Sequence, residues 1–267
     1  MEKNLPKKRF GQHFLIDKNI AQKIVQAVDS GKTKSNLILE IGPGKGVLTE
    51  YLLQTKDQYL GIEIDKVLAK ALEVRFSHYN NFSLITGDFL NIDFEKTLRV
   101  NKSENCSVIG NIPYNITSPI LFKLFDNGDL VEHAVLMMQK EVAQRVTGKP
   151  GTKEYGILSI FSQIFSKIDY LFNVPGKLFY PQPKVDSAVL KFSYYKNVKA
   201  QFQNFDQFKR VIRTCFQQRR KMLRNSLSVL FSKEVLRKLD FSLTQRPESL
   251  SIDQWKELID LLNSATK

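Results

Sequence analysis

The tetrapeptide Asn111-Ile112-Pro113-Tyr114 has residue types suited to presenting a purine amino group to an electrophile. Such an amino group is a poor nucleophile because its lone pair is conjugated with the ring. Two acceptors, the Asn111 side-chain oxygen and the Ile112 carbonyl, could hold its two N–H bonds and turn the lone pair outward. Pro113 favours an extended Ile112, and Tyr114 offers a face for a flipped base. The alternative is an ordinary strand-ending turn.

A second candidate site is the glycine-rich turn Gly42-Pro43-Gly44-Lys45-Gly46, which comes directly after a predicted strand. Glycines at such a turn let the backbone pass close to a ligand at a helix N-terminus. Glu63 ends the next predicted strand, 21 residues beyond Gly42. From that position a carboxylate can accept both ribose hydroxyls of an adenosine ligand. Together these features predict a nucleoside-cofactor site.

The residue directly after this turn bears on the identity of the cofactor. The dinucleotide fingerprint requires a further glycine where this chain has Val47. The observed turn is the looser one of S-adenosylmethionine enzymes, which cradle no pyrophosphate. Asp88, after the third predicted strand, could accept a hydrogen bond from the adenine amino group, or it could simply cap a helix.

The elements that must position these residues alternate between strands and helices. Parallel strands are predicted at 37–41, 59–64, 82–86, 107–110 and 134–138, and an antiparallel edge at 168–173 and 185–195. This order predicts an α/β fold with a doubly wound, Rossmann-like sheet. After about residue 195 only helical spacing remains. We therefore expect a catalytic domain over 1–195 and a small all-helical domain over 196–267.

Charge is unevenly distributed along the chain. The net charge is +13, which indicates an acidic partner such as nucleic acid. Between Lys209 and Arg224 there are seven basic residues and no acids, on a segment whose apolar spacing predicts one helix. Since surfaces ordinarily mix both signs, a surface that binds a nucleic-acid backbone is favoured over a solvated helix face. Its predicted contacts are Arg219, Arg220, Lys221 and Arg224.

Several classes of protein are excluded or disfavoured. The sequence has no apolar run long enough to span a membrane. Cys106 and Cys215 lie far apart without a partner motif, so we expect reduced thiols in a cytoplasmic protein. The three histidines have no metal-ligand spacing, so no metal is expected. We also expect a monomer.

The motifs E-I-G-P-G, G-D-F and N-I-P-Y-N, in this order, resemble the ribosomal RNA adenine N6-methyltransferase family. Phe10–Leu15 and Phe179–Ser187 resemble its N-terminal motif and its loop after the sheet. Leu136–Val142 and Arg246–Ser251 are most similar to the bacterial small-subunit branch, the dimethyladenosine transferases. The resemblance implies S-adenosylmethionine as cofactor and ribosomal RNA of the small subunit as partner. His13 stands where the family usually has Asn.

The resemblance also implies roles for individual residues. The implied cofactor-binding residues are His13, Leu15, Gly42, Glu63, Asp88 and Asn111. The implied catalytic residues are Asn111, Ile112, Pro113 and Tyr114, with Phe179 stacking on the target adenine opposite Tyr114. Taken from the sequence alone, Phe179 is an aromatic residue beside prolines, which more often packs than acts.

Three other functions compete with dimethylation of small-subunit RNA. A large-subunit adenine methyltransferase of the macrolide-resistance type would share the same tetrapeptide. A nonenzymatic RNA-binding assembly or transcription factor is disfavoured by the intact Glu63, Asp88 and Asn111–Tyr114. A nicotinamide-dependent oxidoreductase is disfavoured by Val47 and by the lack of a catalytic His, Lys or Tyr-Lys pattern.

Overall fold

A computed structural model describes residues 12–28, 36–55 and 57–265. Phe10 and Gly11 of the N-terminal motif lie outside the described residues. The chain divides into two compact units. The first runs to Ala143 and resumes over Ser166–Tyr195, and the second combines Gln144–Phe165 with the chain from Lys196 onward. The domain expected over 1–195 therefore differs from the first unit by the segment 144–165.

The first unit is built on a seven-stranded sheet in the order β4-β3-β2-β5-β6-β9-β7. Along the order β4-β3-β2-β5-β6 each strand is parallel to the next, while β9 pairs antiparallel with both β6 and β7. The predicted doubly wound sheet with an antiparallel edge is confirmed. The strands are β2 Leu37–Ile41, β3 Gln58–Glu63, β4 Phe82–Thr86, β5 Cys106–Asn111, β6 Val131–Gln139, β7 Ser166–Val174 and β9 Ser187–Tyr194.

The central strands are buried on both faces, as parallel strands covered by helices must be. All five residues of β2 are buried, and Leu37 and Leu39 are fully so. Helix α1 packs its buried Ile24 and Val25 into the same core as Ile38 of β2. The helices of this unit are α1 Lys18–Val28, α2 Thr49–Leu52, α3 Lys66–Phe76, α4 Phe94–Val100 and α5 Thr117–Asp126; α6 Lys140–Val146 leads out of it.

A two-stranded antiparallel sheet joins distant parts of the first unit. Strand β1 (Phe14–Leu15) pairs with β8 (Phe179–Tyr180), with Phe14 opposite Tyr180 and Leu15 opposite Phe179. Side chains alternate across a strand, so each opposed pair shares one face of this sheet. The Leu15 and Phe179 side chains belong to the hydrophobic core.

The described residues of the second unit form helices joined by turns and loops, and none of them lies in a strand. Its helices are α7 Ile157–Phe165, α8 Phe205–Gln217, α9 Leu223–Leu227, α10 Lys233–Arg237 and α11 Ile252–Ala265. Aromatic rings explain why α7 belongs here: Phe161 lies 5.8 Å from Phe208, and Phe165 lies 5.6 Å from Phe205, between ring centroids. Among the described helices, none combines the length and the apolar character needed to cross a membrane.

The prediction of a single basic helix over 209–224 is wrong. Helix α8 ends at Gln217, and a turn precedes α9 at Leu223. The reason lies in the sequence: between Phe216 and Met222 every residue is polar, so no apolar side chain holds a helix against the core there. Arg219, Arg220 and Lys221 therefore lie in the turn, while Arg224 lies on α9.

Candidate active site

A cleft opens at the carboxyl ends of β2, β3 and β5, where the strand order of the sheet reverses. Open α/β sheets bind ligands at this switch point. The cleft brings together most of the predicted site residues from segments far apart in sequence. Its lining comprises Gln12, His13, Phe14, Leu15, Glu40, Gly42, Pro43, Gly44, Lys45, Val47, Leu48, Glu63, Ile64, Asn111, Ile112, Pro113 and Tyr114.

The glycine-rich turn needs its glycines for conformation and for space. Gly44 has a φ of +61°, and a Cβ there would lie 3.0 Å from the Phe14 ring. Gly46 has a φ of +76°, and its Cβ would lie 2.8 Å from the ring of Phe76 on α3. Backbone of positive φ strains other residues. The turn thus brings bare backbone to the wall of the cleft, as the sequence predicted.

Glu63 is held at the end of β3 by backbone donors. Its Oε1 accepts from the Asp65 amide at 2.9 Å and its Oε2 from the Gly44 amide at 2.9 Å. The side chain is only 3% exposed, and burial raises the pKa of its carboxyl while the two amides lower it. Each carboxylate oxygen has a second lone pair, so the group can still accept hydroxyl hydrogens from a ligand.

Glu40 is a second buried carboxyl in the cleft, which the sequence analysis missed. Its Oε2 accepts hydrogen bonds from the Thr49 hydroxyl at 2.7 Å and the Tyr59 hydroxyl at 2.8 Å. Burial raises its pKa from 4.5 to about 7. An acid inside a buried strand was the available signal, because buried strands seldom carry one unless it is bonded or functional.

His13 connects two parts of the tetrapeptide. Its backbone carbonyl accepts from the Asn111 side-chain amide at 2.8 Å, and its ring stacks on Tyr114 with 5.4 Å between centroids. The ring Nδ1 donates to the carbonyl of Pro181 at 2.7 Å. Because the Asn111 amide nitrogen is engaged, its side-chain oxygen is the atom left to accept a hydrogen from a ligand.

Tyr114 is anchored at its hydroxyl. The hydroxyl forms a 2.9 Å hydrogen bond with Ser187, whose side chain is fully buried. Burial raises the pKa of the Tyr114 hydroxyl above its usual value, and the nearby Asp186 carboxylate adds to this while the bond to Ser187 opposes it. The ring is therefore neutral at physiological pH and fixed at both its edge and its face.

Asp88 and Phe179 lie outside the lining of this cleft. Asp88 caps a short 3₁₀-helix, its Oδ1 accepting from the Leu90 amide at 2.9 Å. That contact uses one carboxylate oxygen and leaves the other for its predicted bond to adenine. Phe179 is 3% exposed and packs in the core. Stacking of this ring on a base therefore receives no support from its position.

A basic cleft of about 800 Å³ lies in the second unit. Arg220 and Lys221 of the α8–α9 turn line it, together with two basic residues that the sequence analysis did not connect with them, Lys153 and Arg246. Arg219 forms a 2.6 Å ion pair with Glu248 and donates a hydrogen bond to the Thr152 carbonyl at 3.0 Å. Arg224 is not part of this lining.

The cleft of the first unit suits a nucleoside bearing a polar tail. The glycine turn gives close backbone approach, and Glu63 offers a carboxylate at the carboxyl end of the neighbouring strand. The loop does not match the dinucleotide-binding fingerprint, because Val47 stands where that fingerprint has its last glycine. A sheet of this topology with such a cleft defines an S-adenosylmethionine-dependent methyltransferase. The family profile described as ribosomal RNA adenine dimethylase matches residues 3–264, and the chain belongs to this family.

Curated relatives and solved structures agree with this assignment. The chain is 41% identical to "Ribosomal RNA small subunit methyltransferase A" of Caldanaerobacter subterraneus, over 96% of this chain and 97% of that protein. It is 43% identical to the Chlorobium luteolum protein of the same name, over 96% and 89%. A dimethyladenosine transferase from Plasmodium falciparum superposes with a TM-score of 0.80 at 28% identity, over 95% and 98% of the two chains. The 23S rRNA methyltransferase ErmE gives 0.71 at 25% identity, over 94% and 99%.

Proposed function

We propose that this protein dimethylates N6 of adenines in small-subunit ribosomal RNA and so acts in ribosome biogenesis. Relatives named for small-subunit methylation, 36–43% identical over nearly the whole chain, support this choice of RNA. The chain is also similar to a large-subunit enzyme, which makes large-subunit RNA the competing substrate.

The observation that carries the proposal is the fixed orientation of Asn111. With its amide nitrogen bonded to the His13 carbonyl, its side-chain oxygen would accept one N–H of the target amino group. The Ile112 carbonyl would accept the other. The nitrogen lone pair then leaves conjugation with the ring and points to the electrophile. When bound, S-adenosylmethionine supplies the sulfonium methyl group.

The proposal needs no charged general base, because the attacking nitrogen becomes acidic once it is methylated. Tyr114, held by Ser187 and His13, would stack on the flipped adenine. Glu63 would accept the cofactor ribose hydroxyls, and the second oxygen of Asp88 the adenine amino group. The remaining cofactor contacts that we propose are His13, Leu15 and Gly42.

We assign the recognition of RNA backbone to the second unit. Arg220, Lys221 and Arg224 would contact phosphates, since none of them takes part in an ion pair among the described residues. Arg219 would shape the cleft through its pair with Glu248. Phosphate contacts carry little sequence information, so shape and the flipped base would select the target. We propose further that the protein acts as a monomer in the cytoplasm.

Methyl mapping on both ribosomal RNAs tests the proposal. Purified protein and labelled S-adenosylmethionine are incubated with unmodified small subunits and, in a separate reaction, with unmodified large subunits. Modified nucleosides are then identified by mass spectrometry. We expect N6,N6-dimethyladenine in the small-subunit RNA and no label in the large-subunit RNA. Label in the large-subunit RNA alone would replace our proposal with the competing one.

The nonenzymatic alternative needs a separate control. An Asn111→Ala variant should still bind small subunits but transfer no methyl. If the wild-type protein binds small subunits and S-adenosylmethionine yet methylates neither RNA, the enzymatic proposal is wrong.

A further inference from the structure

The register of the two-stranded sheet puts one aromatic ring of strand β8 in solvent. Leu15 and Phe179 face the core, so their chain neighbours Phe14 and Tyr180 share the opposite face. Tyr180 is 54% exposed. The backbone directly after Tyr180 is held in place, because the Pro181 carbonyl accepts a hydrogen bond from the His13 ring.

A lysine from the glycine turn lies against this aromatic face. The Lys45 Nζ is 5.0 Å from the centroid of the Phe14 ring and 5.8 Å from that of Tyr180. The Lys45 carbonyl accepts from Arg75 at 2.9 Å, which fixes its backbone. Within the described part of the chain, no carboxylate lies within ion-pair distance of this ammonium.

An exposed ring beside a cation without a carboxylate partner matches the two halves of a nucleotide. Every base has a π-face that stacks on an aromatic side chain without regard to its identity. An ammonium is a point charge that binds phosphate oxygens. Phe14 and Lys45 also line the cleft that holds the Asn111–Tyr114 tetrapeptide. A nucleotide on Tyr180 would therefore neighbour the one whose base enters the cleft.

We propose that Tyr180 and Lys45 form a subsite for a nucleotide adjoining the target adenine, with the base on the Tyr180 ring and its phosphate at the Lys45 ammonium. This inference rests on the proposed RNA substrate. It gives a role to two residues that carry no part of the chemistry, and it places an RNA contact in the first unit.

Equilibrium binding of unmodified small ribosomal subunits to Tyr180 variants tests the stacking half. Tyr180→Leu should weaken binding about tenfold, within the range measured for loss of one base–aromatic contact, and leave S-adenosylmethionine affinity unchanged. Tyr180→Phe should bind within about twofold of wild type because it keeps the ring that stacks. Tyr195→Leu is the matched control, since Tyr195 is similarly exposed at 48%, and it should bind as wild type does.

A lysine variant tests the phosphate half and remains informative if Tyr180→Leu folds poorly. Lys45→Gln should reduce the slope of log affinity against log salt by about 0.7–0.9, whereas Lys70→Gln on the exposed face of α3 should leave the slope unchanged.

Two results would overturn the subsite. One is a Tyr180→Leu variant that melts at a lower temperature but binds small subunits as tightly as wild type does, which would make the ring a packing contact only. The other is an unaltered salt slope in Lys45→Gln. Failure of the wild-type protein to methylate small-subunit RNA would instead defeat the proposed function, so the two failures are distinguishable.

Discussion

Replacing Glu40 by Gln should remove a pH dependence from the stability of the first unit. Glu40 is 1% exposed, and burial raises its pKa from 4.5 to about 7. Between these values the folded protein keeps a proton that the unfolded chain has released. The contribution of this group to the free energy of unfolding is therefore complete below pH 4.5. That contribution falls as the pH rises to about 7 and is constant at higher pH.

The size of the effect can be calculated from the two pKa values. A rise from 4.5 to about 7 corresponds to about 3 kcal/mol, of which roughly 2.5 kcal/mol is lost between pH 5 and pH 8. Gln mimics the protonated acid because its carbonyl can still accept from Thr49 and Tyr59, which both bond Oε2. From pH 5 to pH 8 the free energy of unfolding of Glu40→Gln should therefore rise, relative to that of wild type, by roughly 2.5 kcal/mol.

Urea unfolding at pH 5, 6, 7 and 8, measured by circular dichroism, gives the difference. Hydrogen exchange in β2 peptides assigns the change to the first unit. Glu73→Gln on the exposed face of α3 is the control for removing a carboxylate, and its difference from wild type should not change in this way. If Glu40→Gln differs from wild type by the same free energy at pH 5 and pH 8, Glu40 is ionised throughout and our argument from burial is refuted.

Three further predictions concern the site and the basic cleft. Glu63→Ala should weaken S-adenosylmethionine binding by roughly 1–3 kcal/mol, the scale of hydrogen bonds to a charged acceptor, with RNA affinity preserved; unchanged calorimetric affinity would remove Glu63 from the site. Asn111→Ala should lose methyl transfer severely while the protein stays folded, and a wild-type single-turnover rate would contradict the mechanism. Arg220→Gln and Arg224→Gln should each reduce the slope of log affinity against log salt for subunit binding by about 0.7–0.9. Arg219→Gln should chiefly lower the melting temperature, through loss of the Glu248 pair. Slopes equal to that of wild type in Arg220→Gln and Arg224→Gln would refute the phosphate contacts.

The sequence was sufficient for the sheet because local signals agree there. Strand β4 was predicted with its observed bounds, Phe82–Thr86, and β2 likewise at Leu37–Ile41. Both are short, mainly apolar runs that follow an asparagine and end at a glycine, a pattern that indicates a strand without tertiary information. The position of the cleft was predictable for the same reason, because carboxyl ends of parallel strands meet at one edge.

Other features depend on contacts that no local pattern encodes. Phe179 and Tyr180 are adjacent aromatic residues, and only pairing with β1 decides which ring is buried. The basic cleft gathers Lys153 and Arg246 from segments almost a hundred residues apart. The sequence pattern places α7 in the sheet domain, whereas its aromatic partners on α8 place it in the helical one.

The path of the chain limits how this protein can be dissected or recombined. Because Gln144–Phe165 belongs to the second unit and the last two sheet strands come after it, no single cut separates the units. A chain ending at residue 195 would keep α7 but lose α8, leaving the buried Phe161 and Phe165 without the aromatic rings of α8 that pack against them. Exchange of the second unit between relatives therefore requires both of its segments to be replaced together, at three junctions, so the two units are expected to be inherited together.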